Sequence, residues 1–165
     1  MKLSYCTPKL ITDVEGVECS GLKSEKGGLG LVKCSGRVAG VFTKNRFRAA
    51  PVTVTEEHIA DGVLEGIIVN SGNANACTGK EGIKNAKRMA EMFAEKLKCN
   101  PKDIAVSSTG VIGLQLDMEW IKEMFERVYP ELGSSTDSSW SFAKSITTTD
   151  SFEKQWGLKV GDAVV

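Results

Sequence analysis

Three short strings carry residue types that could do chemistry. In SSTGVIG (107–113), Thr109-Gly110 sets a hydroxyl beside a backbone N–H with no side chain in front of it. Such a pair can receive the oxyanion of a tetrahedral acyl-transfer intermediate, a contribution of about 3–4 kcal/mol per donor; an ordinary strand-to-loop turn has the same composition. In VNSGNANACTG (69–79), Asn70, Ser71, Asn73, Asn75 and Thr78 stand among small residues. They read either as a polar wall close to the backbone or as a tight loop with asparagines in left-handed turns. In SITTTDS (145–151), three consecutive threonines precede an aspartate. The string is a third polar candidate, or a helix end whose β-branched residues begin a strand.

Other chemistries fit poorly. The five cysteines (Cys6, Cys19, Cys34, Cys77, Cys99) are odd in number and form no C-x-x-C pair, which suggests neither a disulfide framework nor a zinc site. The single histidine, His58 in TEEHIADG, is the residue any Ser-His or Cys-His mechanism would have to use, and it reads as part of a short surface helix. Gly72 and the Gly79-Lys80 pair are separated by six residues where a phosphate loop has four, and Glu81 replaces the magnesium-binding hydroxyl. GGLGLVK at Gly28 is not G-x-G-x-x-G.

The elements that must position these strings follow from periodicity. GIIVNS (66–71) and IAVSS (104–108) read as buried strands, each entering one of the first two strings. Ile83, Ala86, Ala90, Phe93, Ala94 and Leu97 recur near the 3.6 period and predict a helix over 80–98. Asp117 is placed to cap a helix carrying Met118, Ile121, Phe125 and Val128, which Pro130 ends; another helix is expected between Thr136 and Ile146. GLGLVKC (28–34) and RVAGVFT (37–43) read as strands joined by a hairpin turn at Ser35-Gly36, and APVTVT (50–55) alternates like another strand. The first thirty residues, rich in Gly, Lys and Ser, read as partly irregular. The tail GLKVGDAVV (157–165) places a Gly-Asp turn between strand-like runs and ends apolar, which predicts an exposed edge that something should pair with. Two strand–loop–helix units of this kind indicate an α/β architecture, in which ligands gather where strands end and helices begin.

Composition sets the frame. A chain of 165 residues, 41% hydrophobic and 25% charged, fits one soluble domain with a sizeable core. Basic and acidic residues balance at 21 each, so charge points to neither nucleic acid nor membrane. No apolar run approaches the roughly 20 residues of a membrane span, and MKLSYCTPKL lacks a signal peptide's apolar core, so a cytoplasmic protein is expected.

Together the strings GRVAGVFTKNRFRAAPV (36–52), IVNSGNANACTG (68–79), VSSTGVIG (106–113) and ITTTD (146–150), in this order and spacing, resemble the ornithine acetyltransferase (glutamate N-acetyltransferase) family. The similarity runs from about Val14 to the C-terminus. It implies an α/β sandwich of two β-sheets flanked by helices, and an N-terminal-nucleophile enzyme of arginine biosynthesis that needs no cofactor. A precursor cuts itself before a threonine. The new N-terminal threonine of the β chain then takes the acetyl group from N-acetylornithine and passes it to glutamate through an acyl-threonine. By resemblance, Thr109 and Gly110 form the oxyanion hole and Thr148 or Thr149 contacts the substrate. Asn70, Ser71, Gly72 and Asn73 belong to the active-site neighbourhood, and the partner is the β chain in an α2β2 assembly. The family's Gly- and Lys-containing segment with its substrate-binding lysine, its cleavage site and its nucleophile lie beyond Val165. Residues 1–165 are therefore expected to be a single domain, the α-chain part of a two-chain acetyltransferase, inactive alone. A non-catalytic remnant binding an acetylated amino acid or a partner chain, and an amidohydrolase of the same architecture, are the alternatives.

Overall fold

Glycine and small residues decide where the strands can lie, and the helices fill the space those strands leave. The computed structural model describes residues 10–160 and 163–164. Its main sheet has four strands in the order β1 (Glu18–Lys23), β2 (Gly28–Arg37), β3 (Val63–Asn73), β4 (Ile104–Val111). The β1–β2 and β2–β3 pairs are antiparallel and β3–β4 is parallel. A parallel pair needs a crossover, here supplied by α2 (Gly79–Leu97). The remaining helices are α1 (Ala50–His58), α3 (Met118–Val128) and α4 (Thr136–Ser145). β5 (Lys159–Val160) and β6 (Ala163–Val164) pair with each other.

Period-2 alternation splits the sheet into two unlike faces. One presents Leu29, Leu31, Ile68, Ile104 and Val106 to Met89, Phe93, Ile121, Phe125 and Val54, all buried in one core. Phe93 and Phe125 meet edge to face at 6.1 Å between ring centres. Each such side chain contributes roughly 1.5–3 kcal/mol by leaving water. On the other face the strands offer Gly21, Gly28 and Gly30, and α4 lies directly on them. A Cβ at Gly28 would fall 2.1 Å from the Ser145 carbonyl oxygen.

The fold class is α/β, and the helices over 80–98, after Asp117 and from Thr136 form as their periodicity requires. Asp117 accepts the Trp120 N–H and caps α3, and a short turn at Tyr129–Glu131 containing Pro130 follows it. Four local expectations are overturned. APVTVT is not a strand but the start of α1: Pro51 sits in its first turn, and Ala50, Val54 and His58, four apart, face inward. The Thr/Val alternation there is incidental to that spacing. RVAGVFT does not form a strand, because the β2–β3 ladder ends at Arg37 and Val63. The segment after it runs exposed, with Val41 fully accessible. Ser35-Gly36 is no hairpin turn; the β2–β3 register shifts between Lys33 and Gly36. The hairpin lies earlier, where Ser24 and Gly27 exchange backbone hydrogen bonds between β1 and β2, so the region before residue 30 is more regular than its composition suggests.

No strand begins at the threonines after α4; the next is β5. The turn expected at Gly161-Asp162 lies outside the described residues. No described helix is long and apolar enough to cross a membrane.

Candidate active site

Because β3 and β4 run parallel, their C-terminal ends finish side by side. Ser71 pairs with Thr109 and Gly72 with Gly110. Gly110 has φ +134° and Gly72 φ +98°, conformations that side chains rarely adopt. The two backbones touch: a Cβ on Gly110 would lie 2.3 Å from the Gly72 carbonyl carbon. A Cβ on Gly72 would meet the Lys26 carbonyl oxygen at 2.5 Å. Glycine is thus what lets the β1–β2 turn, β3 and β4 converge at one point.

The outer edge of β4 is sealed along its first half only. His58 Nδ1 lies 2.8 Å from the Ile104 carbonyl oxygen, and the Thr55 hydroxyl both donates to the Val106 carbonyl and accepts the Val106 N–H. The Val111 carbonyl points the opposite way, accepting from Ala74 N–H at 2.9 Å. Alternation therefore directs the Ser108 N–H outward, past the end of α1, while Gly110 leaves the extended conformation at φ +134°. His58 does end a short helix with an exposed face (Thr53, Glu56, Glu57), but its own ring is buried and serves this edge.

Around that end of the sheet opens a cleft of about 630 Å³. Gly72, Thr109, Gly110 and Val111 form one wall, Thr148 and Thr149 another, and the β1–β2 turn with Lys23, Glu25 and Lys26 a third. Five residues singled out from the sequence, Gly72, Thr109, Gly110, Thr148 and Thr149, are brought together here. Asn70, Ser71 and Asn73 lie beneath or beside the cleft and bond to the chain. The Asn70 amide donates to the Asn73 carbonyl while its oxygen accepts from Ser108 Oγ at 2.5 Å. The Asn73 amide donates to Leu114 and Gln115 carbonyls, and its oxygen accepts the Asn75 N–H. Asn75 and Cys77 are left-handed, with φ 46° and 57°. Asn75, fully buried, holds the start of α2 through its bond to the Gly82 carbonyl and the one it accepts from Thr78. The run of small polar residues between β3 and α2 is thus a loop in which side-chain amides replace a regular ladder.

Lys23 is the residue sequence reading missed. Its ammonium donates to Ser71 Oγ at 2.9 Å and to the Thr147 carbonyl, and burial lowers its pKa. Ser71 Oγ in turn donates to the Ser145 carbonyl at 2.6 Å. In SGLKSEKGG nothing distinguishes this lysine from one on a solvated turn; only the return of α4 over the sheet reveals it. Among the described residues no three His, Cys, Asp or Glu side chains converge as a metal site would require. A second groove, about 330 Å³ and lined by Ile11, Phe142, Ile146 and Trp156, holds none of the residues singled out from the sequence.

This arrangement of strand ends, cleft and threonines can be set against known proteins. The profile of the ArgJ family matches residues 14–164. The chain belongs to the ArgJ family. Among ArgJ relatives, the arginine biosynthesis bifunctional protein ArgJ of Archaeoglobus fulgidus is 54% identical over 145 residues, covering 88% of this chain and 38% of the relative. The glutamate N-acetyltransferase of Methanosarcina mazei is 44% identical over 158 residues, covering 92% of this chain and 40% of the relative. The ornithine acetyltransferase of Mycobacterium tuberculosis, solved in complex with ornithine, superposes with a TM-score of 0.89 at 34% identity, covering 94% of this chain and 88% of that one. An ArgJ structure from Bacillus halodurans gives 0.85, also at 34% identity, with 95% and 86% covered. The chain thus spans about two fifths of the length of the relatives matched by sequence, and most of the solved chains.

Proposed function

We propose that this ArgJ chain is the α portion of a cytoplasmic acetyltransferase of arginine biosynthesis, moving acetyl from N-acetylornithine to glutamate. A second chain brings an N-terminal threonine freed by self-cleavage, and the two assemble as α2β2. The threonine hydroxyl attacks the acetyl carbonyl while its own amine takes the proton. The carbonyl oxygen becomes an oxyanion received by the Thr109 hydroxyl and the Gly110 N–H. Collapse breaks the C–N bond, and ornithine leaves with the proton on its nitrogen. The amine of glutamate then attacks the acyl-threonine through the same oxyanion site, and the threonine is regenerated. Thr148 or Thr149 bounds the substrate opposite the oxyanion wall, and Gly72 with the Asn70–Asn73 loop supports that wall.

The observation that carries this reading is that Thr109 and Gly110, at the end of β4 beyond the stretch that Thr55 seals, line one cleft with Thr148 and Thr149. The names of the relatives support the chemistry, and the contrast between two-fifths coverage of those relatives and near-complete coverage of the solved chains supports a division into two chains.

The test is co-purification of this chain from its source with intact mass spectrometry, followed by an assay for N-acetylglutamate. A partner beginning with an unblocked threonine, and acetyl transfer by the complex, are expected. Thr109→Ala in that complex should lower kcat by about 10²–10³; an unchanged kcat would remove Thr109 from the oxyanion site. A complex that binds N-acetylornithine without ever acetylating glutamate would make this chain a non-catalytic binding protein instead.

A further inference from the structure

We infer that Lys23 is a positioning residue of the cleft: its ammonium clamps the segment after α4 to the sheet and so fixes the gap between the Thr109–Gly110 wall and the Thr148–Thr149 wall. The inference rests on the reading of the cleft given above and adds to it the device that sets its width. Lys23, Gly28, Ser71 and Thr109 are successive cross-strand partners, one row across all four strands of the main sheet. Side chains in such a row share a face. Gly28 contributes none, and the Ser145 carbonyl at the end of α4 lies over it. With no side chain between them, Lys23 reaches Ser71 across two strand spacings, about 10 Å.

The direction of each hydrogen bond is fixed. Ser71 Oγ gives its one proton to the Ser145 carbonyl at 2.6 Å, so toward the ammonium, at 2.9 Å, it can only accept. A second N–H of Lys23 goes to the Thr147 carbonyl, two residues beyond Ser145. Among the described residues this is the one hydrogen bond that ties residues 146–151 to the sheet. The others there are local: Thr147 to Lys144, Thr148 to Asp150, and Asp150 to Lys154. Thr148 and Thr149 are themselves exposed, so the clamp at Thr147 is what holds their wall. No carboxylate among the described residues forms a salt bridge with Lys23 and draws it off either wall. The two walls belong to separate segments, β4 and the chain after α4, which share no ladder. An acyl group attacked between them needs both at a set separation, where a misplacement of about 1 Å can cost roughly 10²-fold in rate.

The test measures acetyl transfer by the complete two-chain enzyme and, on the same samples, proteinase K cleavage within 146–151. Lys23→Met is expected to lower kcat/KM by about tenfold to a hundredfold. It should also speed that cleavage by about tenfold, while cleavage within 38–47 stays as in the wild type. Lys23→Arg, with donors enough for both acceptors, should hold both readouts within roughly threefold. In a Thr148→Ala/Thr149→Ala background, Lys23→Met should cost less than about threefold more, because the wall it holds no longer carries its hydroxyls. Full additivity in that comparison, or an unchanged kcat/KM beside faster cleavage, would make Lys23 structural only. Unchanged cleavage would mean that the wall stands without it. Any of these outcomes overturns the inference. Should Lys23→Met fail to assemble, Lys23→Gln, shorter and uncharged, serves the same comparison. A wild type that transfers no acetyl group would sink the acetyltransferase reading alone, and the cleavage rates would still decide whether Lys23 clamps the wall.

Discussion

Gly72 and Gly110 face each other across the parallel β3–β4 pair with their backbones in direct contact, both at positive φ. A side chain on Gly110 would push into β3, and one on Gly72 into the β1–β2 turn at Lys26. Gly110→Ala should destabilise the protein by about 2 kcal/mol or more, from backbone strain and overpacking together. In a thermal melt that corresponds to a fall in Tm of roughly 4–8 °C. A melt indistinguishable from wild type would mean that the strands separate freely here.

The Thr55 hydroxyl serves both backbone groups of Val106 at once. Thr55→Val keeps the shape and strands an N–H and a carbonyl at the edge of β4. The expected loss is about 1–3 kcal/mol in a urea titration, with the m-value unchanged. Thr55→Ser, which retains the hydroxyl, should lose distinctly less.

His58 is bonded to the Ile104 carbonyl within the same seal and lines no part of the cleft. His58→Ala should cost stability, about 1–3 kcal/mol, while kcat of the complete enzyme stays within about threefold. A loss of kcat by two orders of magnitude in a folded variant would return His58 to the chemistry.

Burial pushes the Cys19 thiol up to about 11, a Ser139 hydrogen bond offsetting part of the shift. The folded state therefore holds this proton more tightly than the unfolded chain, whose thiol titrates near the ordinary value of 9.0. The stabilisation is complete below pH 9 and is lost as pH rises toward 11. Urea midpoints of wild type should fall more steeply than those of Cys19→Ala between these limits; parallel curves would contradict the burial.

Thiol labelling at neutral pH offers a check on the same burial. Cys77 is exposed and Cys19 buried. Iodoacetamide followed by peptide mass spectrometry should modify Cys77 well before Cys19. The reverse order would indicate that β1 opens readily.

Where the residues carried their own reason, the sequence was readable. The 3.6 period placed α2 and α3, Asp117 marked its cap, and the apolar runs at 66–71 and 104–108 marked β3 and β4. Thr109-Gly110 could be picked out because a hydroxyl beside an unobstructed N–H is a local property. APVTVT misled because period 2 and period 4 overlap across six residues, and only contact with β4 selects the helix. Ser35-Gly36 misled because a bulge and a turn use the same small residues.

By itself, then, the sequence determined the class of the fold and the helices with strong periodicity, set by interactions between near neighbours, and it singled out Thr109-Gly110 as a candidate pair. The tertiary structure alone decided that 50–58 is helical, that Asn70, Ser71 and Asn73 brace the loop, and that Lys23 meets Thr147 across 124 residues. Such contacts depend on which strand a residue is laid beside and on which glycines let the backbones close. That information is spread over the whole chain, so no short stretch of it discloses the cleft.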